Sequence, residues 1–276
     1  MIRWDLSPLP EVPRYGPLNY LLFFMRGSLM TLVIMGFLIP LLVLRVAEMP
    51  WGRNRISPYM TQIACRLCLR IVGITLHRKG SPMKEAGAIV SNHSSWLDIF
   101  VSNSLQNIVF VSKEEVADWI GVGFLAKATG VLFVKRERRE ALRQRDEFVR
   151  RLTRGDRLLF FPEGTSTDGL RVLSFKTTLF AALFAESLAG KVYVQPMTIR
   201  YRPAPGQHPA FYGFWGDMEF TASLFKVLAT PRNGDVDLTF HDAVRISDFA
   251  DRKELAHHCE MKVRAGLESR YTPAKS

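Results

Sequence analysis

The sequence predicts an α/β fold, a mixed sheet flanked by helices, with an N-terminal membrane-attachment helical segment. Three observations carry this. Short hydrophobic runs alternate with helical patterns, polar motifs fall at the ends of those runs, and an 18-residue stretch without a charge, Gly27 to Leu44, comes before them. With 276 residues, 47% of them hydrophobic, the chain suits one such core plus an attachment.

The uncharged stretch is interrupted by Gly36 and Pro40, and Leu18 to Met25 extends it beyond Arg26. It either spans a bilayer or lies as a bent, shallowly inserted helix. The polar region before it is long and no clear small-x-small site follows, so it is expected to be retained rather than cleaved. Ile56 to Val72 places Ile63, Leu67, Cys68 and Ile71 on one face and Arg66 and Arg70 on another. That pattern fits an amphipathic helix, resting on a bilayer surface or packed against the core. Cys65 and Cys68 form a Cys-x-x-Cys inside this helix without a second pair of matching spacing, so no metal site is expected. Three cysteines in all argue for a reducing compartment. The division expected is a membrane-associated helical segment over residues 1–80 and an α/β domain over 81–276.

Strands are expected at Ala88–Ser91, Ile108–Ser112, Val131–Lys135, Leu158–Phe161, Val192–Tyr201 and Val236–His241. Helices are expected from about Arg138 to Arg154 and from Asp251 to Arg270, with Asn233-Gly234 turning the chain into the last strand. Residues 202–220, rich in Pro, Gly and aromatics, read as a long loop that lines a pocket or rests on a membrane.

The segment Asn92-His93-Ser94-Ser95-Trp96-Leu97-Asp98 follows the first of these strands. Five residues of helix turn about 500°, roughly 140° off-face, so His93 and Asp98 meet only if His93 sits in the turn before the helix. General base catalysis on a hydroxyl needs a neutral imidazole and a second group that fixes which ring nitrogen faces the proton. His93 and Asp98 supply both. Ser95-Trp96-Leu97-Asp98 also fits a capping box, in which the carboxylate satisfies a backbone N–H and nothing more.

These residues do not stand alone. Gly130-Val131-Leu132-Phe133-Val134-Lys135-Arg136, Phe161-Pro162-Glu163-Gly164-Thr165 and Val192-Tyr193-Val194-Gln195-Pro196-Met197 follow in order. Together with His93-x4-Asp98 they resemble the four motifs of the glycerolipid acyltransferase family typified by bacterial lysophosphatidic acid acyltransferases. The resemblance implies that residues 81–276 are an acyltransferase catalytic domain. It implies that His93 deprotonates the free hydroxyl of a lyso-lipid, which attacks the thioester of acyl-coenzyme A or acyl carrier protein, while Asp98 orients the imidazole. It assigns Arg136, Glu163, Gly164 and Thr165 to the acceptor head group. No metal or prosthetic group is expected, the thioester being a co-substrate. It also implies a bacterial inner membrane, with the catalytic domain on the cytoplasmic side.

One position departs from the lysophosphatidate pattern. Family members commonly continue the third motif with Arg, and here Ser166 stands there. A hydroxyl in place of a guanidinium forgoes a charge-assisted contact of roughly 1.5 to 3 kcal/mol. Glu163 to Gly169 and the later Trp215-Gly216-Asp217-Met218 are similar to the branch that acylates lyso-ornithine lipid and related aminolipids. Asp168 or Asp217 then faces a cationic amine. The alternative keeps lysophosphatidate as acceptor, with Arg171 as a substitute phosphate ligand.

The net charge of +11 favours anionic partners, and Lys135 to Arg157 holds ten Lys and Arg against five acids. Lipid headgroups, acidic carrier protein or coenzyme A phosphates fit this charge. No aromatic-interleaved basic motif points to nucleic acid. The competing class is a membrane-anchored lipid-binding protein without chemistry, against which the intact His93 and Asp98 argue.

Overall fold

Ala88 and Val90 face one hydrophobic core, and Ile89 between them faces another. Leu158 and Phe160 against Leu159 repeat the pattern on the neighbouring strand. Side chains alternate along a strand, so strands buried on both faces require helices on both sides of a sheet. The computed structural model, which describes residues 14–51, 55–119, 121–135 and 138–269, has this arrangement.

The helices are α1 Pro17–Glu48, α2 Ser57–Val72, α3 Asp98–Leu105, α4 Val122–Thr129, α5 Ala141–Thr153, α6 Phe220–Ala229 and α7 Arg252–Glu268. The strands are β1 Thr75–Lys79, β2 Gly87–Ser91, β3 Val109–Lys113, β4 Leu132–Val134, β5 Arg157–Phe160, β6 Tyr193–Arg202, β7 Asp235–Phe240 and β8 Val244–Arg245. Their order is β1-β7-β6-β2-β5-β3-β4, with β8 also on β6. Pairing is antiparallel where β6 meets β7 and β8, and parallel elsewhere. The sheet is mixed, as expected. Phe148 and Leu152 of α5 and Leu255, Cys259 and Val263 of α7 close one core, while α1, α2, α3 and α6 close the other.

Parallel pairing puts the carboxyl ends of β2, β5, β6, β3 and β4 along one edge, the edge where open α/β sheets place their ligands. Val90 of β2 is level with Phe160 of β5 and Pro196 of β6. The turns after β2 and β5 therefore leave the sheet side by side. Pro196 is tolerated inside β6 because β7 begins to pair only at Met197 and β8 stops at Val194.

The six expected strands are present within a residue at most ends, and Asp251 caps α7 by accepting from the N–H groups of Lys253 and Glu254. Thr75–Lys79, expected in the membrane-associated segment, is the edge strand paired with β7. Gly234 allows that junction, since a Cβ there would lie 1.9 Å from the carbonyl oxygen of Arg202.

Gly36 and Pro40 do not interrupt α1. Proline removes the hydrogen bond to the residue four before it, which here is Gly36, whose missing side chain leaves the crowded turn open. The charged residues of α1 are Arg26, Arg45 and Glu48, and each finishes another helix. Arg26 donates to the carbonyls of Leu228 at 3.0 Å and Thr230 at 2.6 Å, at the end of α6. Arg45 donates to Thr129 O at 2.6 Å, at the end of α4. Glu48 accepts from the N–H groups of Ile56 and Ser57 at the start of α2. Cations sit at C-termini and the anion at an N-terminus, as the helix dipole favours.

In α2 the buried face is Ala64, Cys65, Cys68, Leu69 and Val72, so core packing prevails over the bilayer-surface alternative, and Ile63 points outward. Burial pushes the Cys68 thiol up to about 11, which leaves it protonated and a poor metal ligand at neutral pH.

Candidate active site

Asn92 leaves β2 with both ends of its amide bound to one residue of β6: its Nδ2 donates to Ile199 O at 2.8 Å and its Oδ1 accepts from Ile199 N at 2.9 Å. This fixes the start of the turn. The His93 N–H donates to Oε1 of Glu163 at 2.7 Å, and the His93 carbonyl accepts from Thr167 N at 3.0 Å and Thr167 Oγ1 at 3.2 Å. The loop after β5 thus holds the backbone of His93 from both sides. Its ring stacks on Phe161 with centroids 4.2 Å apart and planes 12° from parallel.

His93 Nδ1 lies 2.7 Å from Oδ2 of Asp98, the first residue of α3. That oxygen also accepts from the N–H groups of Ser94 at 2.8 Å and Ser95 at 3.0 Å. Capping and orientation, which compete as explanations at the level of sequence, are performed by the same carboxylate. With Nδ1 donating to a carboxylate, the lone pair of the neutral ring is on Nε2, and the side chain is 26% exposed beside an Asp98 that is fully buried. Oδ1 of Asp98 accepts from the Tyr201 hydroxyl at 2.7 Å. Burial, then the charge of Asp98, push that phenol well above its usual range, so it stays a donor.

Glu163 is 1% exposed, and its second oxygen accepts from Leu173 N at 2.7 Å. Burial pushes its carboxyl up to about 8, with nearby Asp98 adding to the rise and the two N–H donors opposing it. Gly164 has φ of 73°, and a Cβ there would lie 2.6 Å from Lys176 Nζ, so the loop and the lysine both depend on glycine. Thr165 and Ser166 follow, half-buried, on the same loop.

The remaining expected ligands are placed as follows. Asp168 is 2% exposed and pairs with Arg171 at 3.0 Å, so the two residues expected to meet an amine and a phosphate meet each other. Asp217 is exposed, beyond the buried Trp215. Arg136 lies outside the described residues; Lys135 before it pairs with Glu114 at 3.0 Å. Residues 203–219 form the expected loop and reach the turn that carries His93, where Phe214 N donates to Ser94 O at 2.8 Å. Among the described residues no group of His, Cys, Asp and Glu is placed to hold a metal ion.

The sequence gives little warning of Tyr201 and Thr167. Tyr201 lies 103 residues from Asp98, and only the adjacency of β2 and β6 brings them together. Thr167 is one hydroxyl among several in a polar loop.

A family model described as Acyltransferase matches residues 73–200, which hold the His93 turn, the Glu163 loop and β6 almost to its end. Over 248 residues the chain is 46% identical to the lyso-ornithine lipid O-acyltransferase of Rhodobacter capsulatus, covering 89% of this chain and 90% of that one. The chain belongs to the acyltransferase family. A second relative in this acyltransferase family, the lyso-ornithine lipid O-acyltransferase of Brucella abortus, is 38% identical over 79% of this chain and 84% of its own. The crystal structure of the 1-acyl-sn-glycerophosphate acyltransferase of Thermotoga maritima superposes with a TM-score of 0.65, covering 92% of this chain and 98% of that one. At 21% identity that likeness shows the shared fold.

Proposed function

We propose that this acyltransferase moves a fatty acyl chain from an acyl thioester, carried on acyl carrier protein or coenzyme A, to the free hydroxyl of a lyso-ornithine lipid. The observation that carries the chemistry is the hydrogen-bonded pair of His93 and the fully buried Asp98. Nε2 of His93 takes the proton of the acceptor hydroxyl as its oxygen bonds to the thioester carbonyl carbon. The carbon–sulfur bond then breaks, and the thiolate leaves with the proton that His93 returns. Glu163 and Thr167 hold the backbone of His93, and Asp98 holds its ring. Arg136, Gly164, Thr165 and Ser166 belong to the acceptor side in this reading.

Two facts support the aminolipid acceptor: the names of the relatives at 46% and 38% identity, and Ser166 where a phosphate-binding Arg is expected. An ornithine head group is zwitterionic, and a serine loop does not demand phosphate. Arg171, the candidate substitute for phosphate binding, is already paired with Asp168.

Pro17–Trp51 is long and apolar enough to cross a membrane, and only 17% of its most apolar window is buried in the protein. Membrane association through this helix, with the catalytic domain on the cytoplasmic side where thioesters are made, completes the proposal. The test is acylation by purified protein in detergent or vesicles, with lyso-ornithine lipid and lysophosphatidate as paired acceptors and both thioesters as donors. A strong preference for lysophosphatidate overturns the acceptor. No transfer with any pair, from folded protein, overturns the enzyme reading in favour of lipid binding alone.

A further inference from the structure

The three donors to Oδ2 of Asp98 are His93, Ser94 and Ser95, all in the turn the carboxylate already belongs to. They shape the turn but move with it. Oδ1 has a donor of a different kind, the hydroxyl of Tyr201, which stands on β6 in register with Val236 of β7. The Tyr201 ring is itself held by Tyr212, with centroids 5.0 Å apart. Tyr212 is anchored in turn by the N–H of Gly234, which donates to its hydroxyl at 2.7 Å. A phenylalanine would fill the same space against Tyr212. Only the hydroxyl is specific, and its contact is the second oxygen of a fully buried carboxylate.

We propose that Tyr201 is a positioning residue that ties Asp98 to the sheet and sets the basicity of His93 by sharing the charge of Asp98. The proposal rests on His93 acting as the base. A carboxylate that gives part of its charge to a phenol pulls less strongly on the imidazole N–H beside it. Among the described residues other titratable groups stand near this pair, with Lys176 against Gly164 on the loop after β5. Glu163 approaches from the loop after β5 and Tyr212 from the 203–219 loop.

The test compares pH profiles of kcat/KM for acyl transfer by the full chain, with a saturating thioester donor. In Tyr201→Phe the acidic limb moves to higher pH by about half to one unit. Turnover at neutral pH falls roughly tenfold, while KM for the lyso-lipid stays within about twofold. Replacing Tyr201 by 3-fluorotyrosine, a stronger donor of the same shape, moves the limb the other way and keeps the test open if the phenylalanine variant folds poorly. Glu163 is common to all these proteins, so its titration cancels in the comparison. Tyr212→Phe, which keeps the ring beside Tyr201, lowers stability and leaves the limb in place. The proposal is overturned if the limb stays fixed in both Tyr201 variants, if the loss lies wholly in KM, or if Tyr212→Phe shifts the limb equally. Near-normal activity in His93→Ala would instead overturn the base assignment beneath it.

Discussion

The backbone N–H of His93 donates to Oε1 of Glu163 at 2.7 Å across seventy residues of sequence. Glu163 thereby holds the turn that carries His93, with its other oxygen fixing Leu173. Glu163→Ala leaves two partly buried N–H groups without their acceptor, at up to about 1–3 kcal/mol each. A loss of thermal stability together with at least tenfold lower kcat is the expected result, read by thermal unfolding and steady-state rates. Wild-type stability with reduced activity would show that the carboxylate serves only the ligand.

The same carboxyl gives a pH dependence of stability. Its folded pKa, about 8, is raised above the ordinary value of 4.5, so the unfolded chain releases the proton first as pH rises. Its contribution to stability is full below about 4.5 and is lost as pH climbs toward 8. Unfolding midpoints at pH 5, 6.5 and 8 test this, and Glu163→Gln flattens that part of the slope. An unchanged slope in the variant would assign it to other groups.

His93→Ala is expected to lower turnover by roughly 100-fold or more with folding intact, since general base catalysis typically contributes 10² to 10⁴. Asp98→Asn has a second consequence, visible only in the structure. One end of the amide is a donor and faces either the Tyr201 hydroxyl or the N–H groups of Ser94 and Ser95. An intermediate loss of activity is therefore expected with about 1–3 kcal/mol lower stability, measured by denaturant unfolding beside the assay.

Ser166→Arg adds a cation to the half-buried loop that carries Gly164 and Thr165. Use of lysophosphatidate is expected to rise or hold while use of lyso-ornithine lipid falls, because its amine meets a like charge. Paired kcat/KM values for the two acceptors decide it. A variant that loses both equally would show that position 166 does not discriminate head groups.

Arg26→Met removes the donor to the carbonyls of Leu228 and Thr230 at the end of α6. The apolar replacement suits the flank of α1, so a loss of about 1–3 kcal/mol reports the cap alone. A melting temperature equal to wild type would show the cap to be dispensable. A chain that starts at Arg55 loses this cap with those made by Arg45 and Glu48, and is expected to be unstable rather than merely soluble.

The strands were legible because Ala88–Val90 and Leu158–Phe160 are apolar runs buried on the sheet, and Val236, Leu238 and Phe240 are buried at every second position. β1 was not, because an edge strand reading Thr-Leu-His-Arg-Lys is half exposed and has no such run. His93 and Asp98 were legible because both lie in one turn, where spacing fixes geometry. Tyr201 and the backbone role of Glu163 depend on which strands become neighbours, and one sequence does not state that. The pairing of Asp168 with Arg171, three residues apart, was within reach of spacing alone.

The caps that α1 places on α2, α4 and α6 give its axis a fixed height and angle of rotation relative to the sheet. The helix is an axle keyed to the rest of the protein at three points. In the proposed membrane attachment, the elevation of His93 above the hydrocarbon would be set by where this helix settles. If the helix enters a bilayer as proposed, a shift or tilt of its axis would carry the edge that bears His93 along with it.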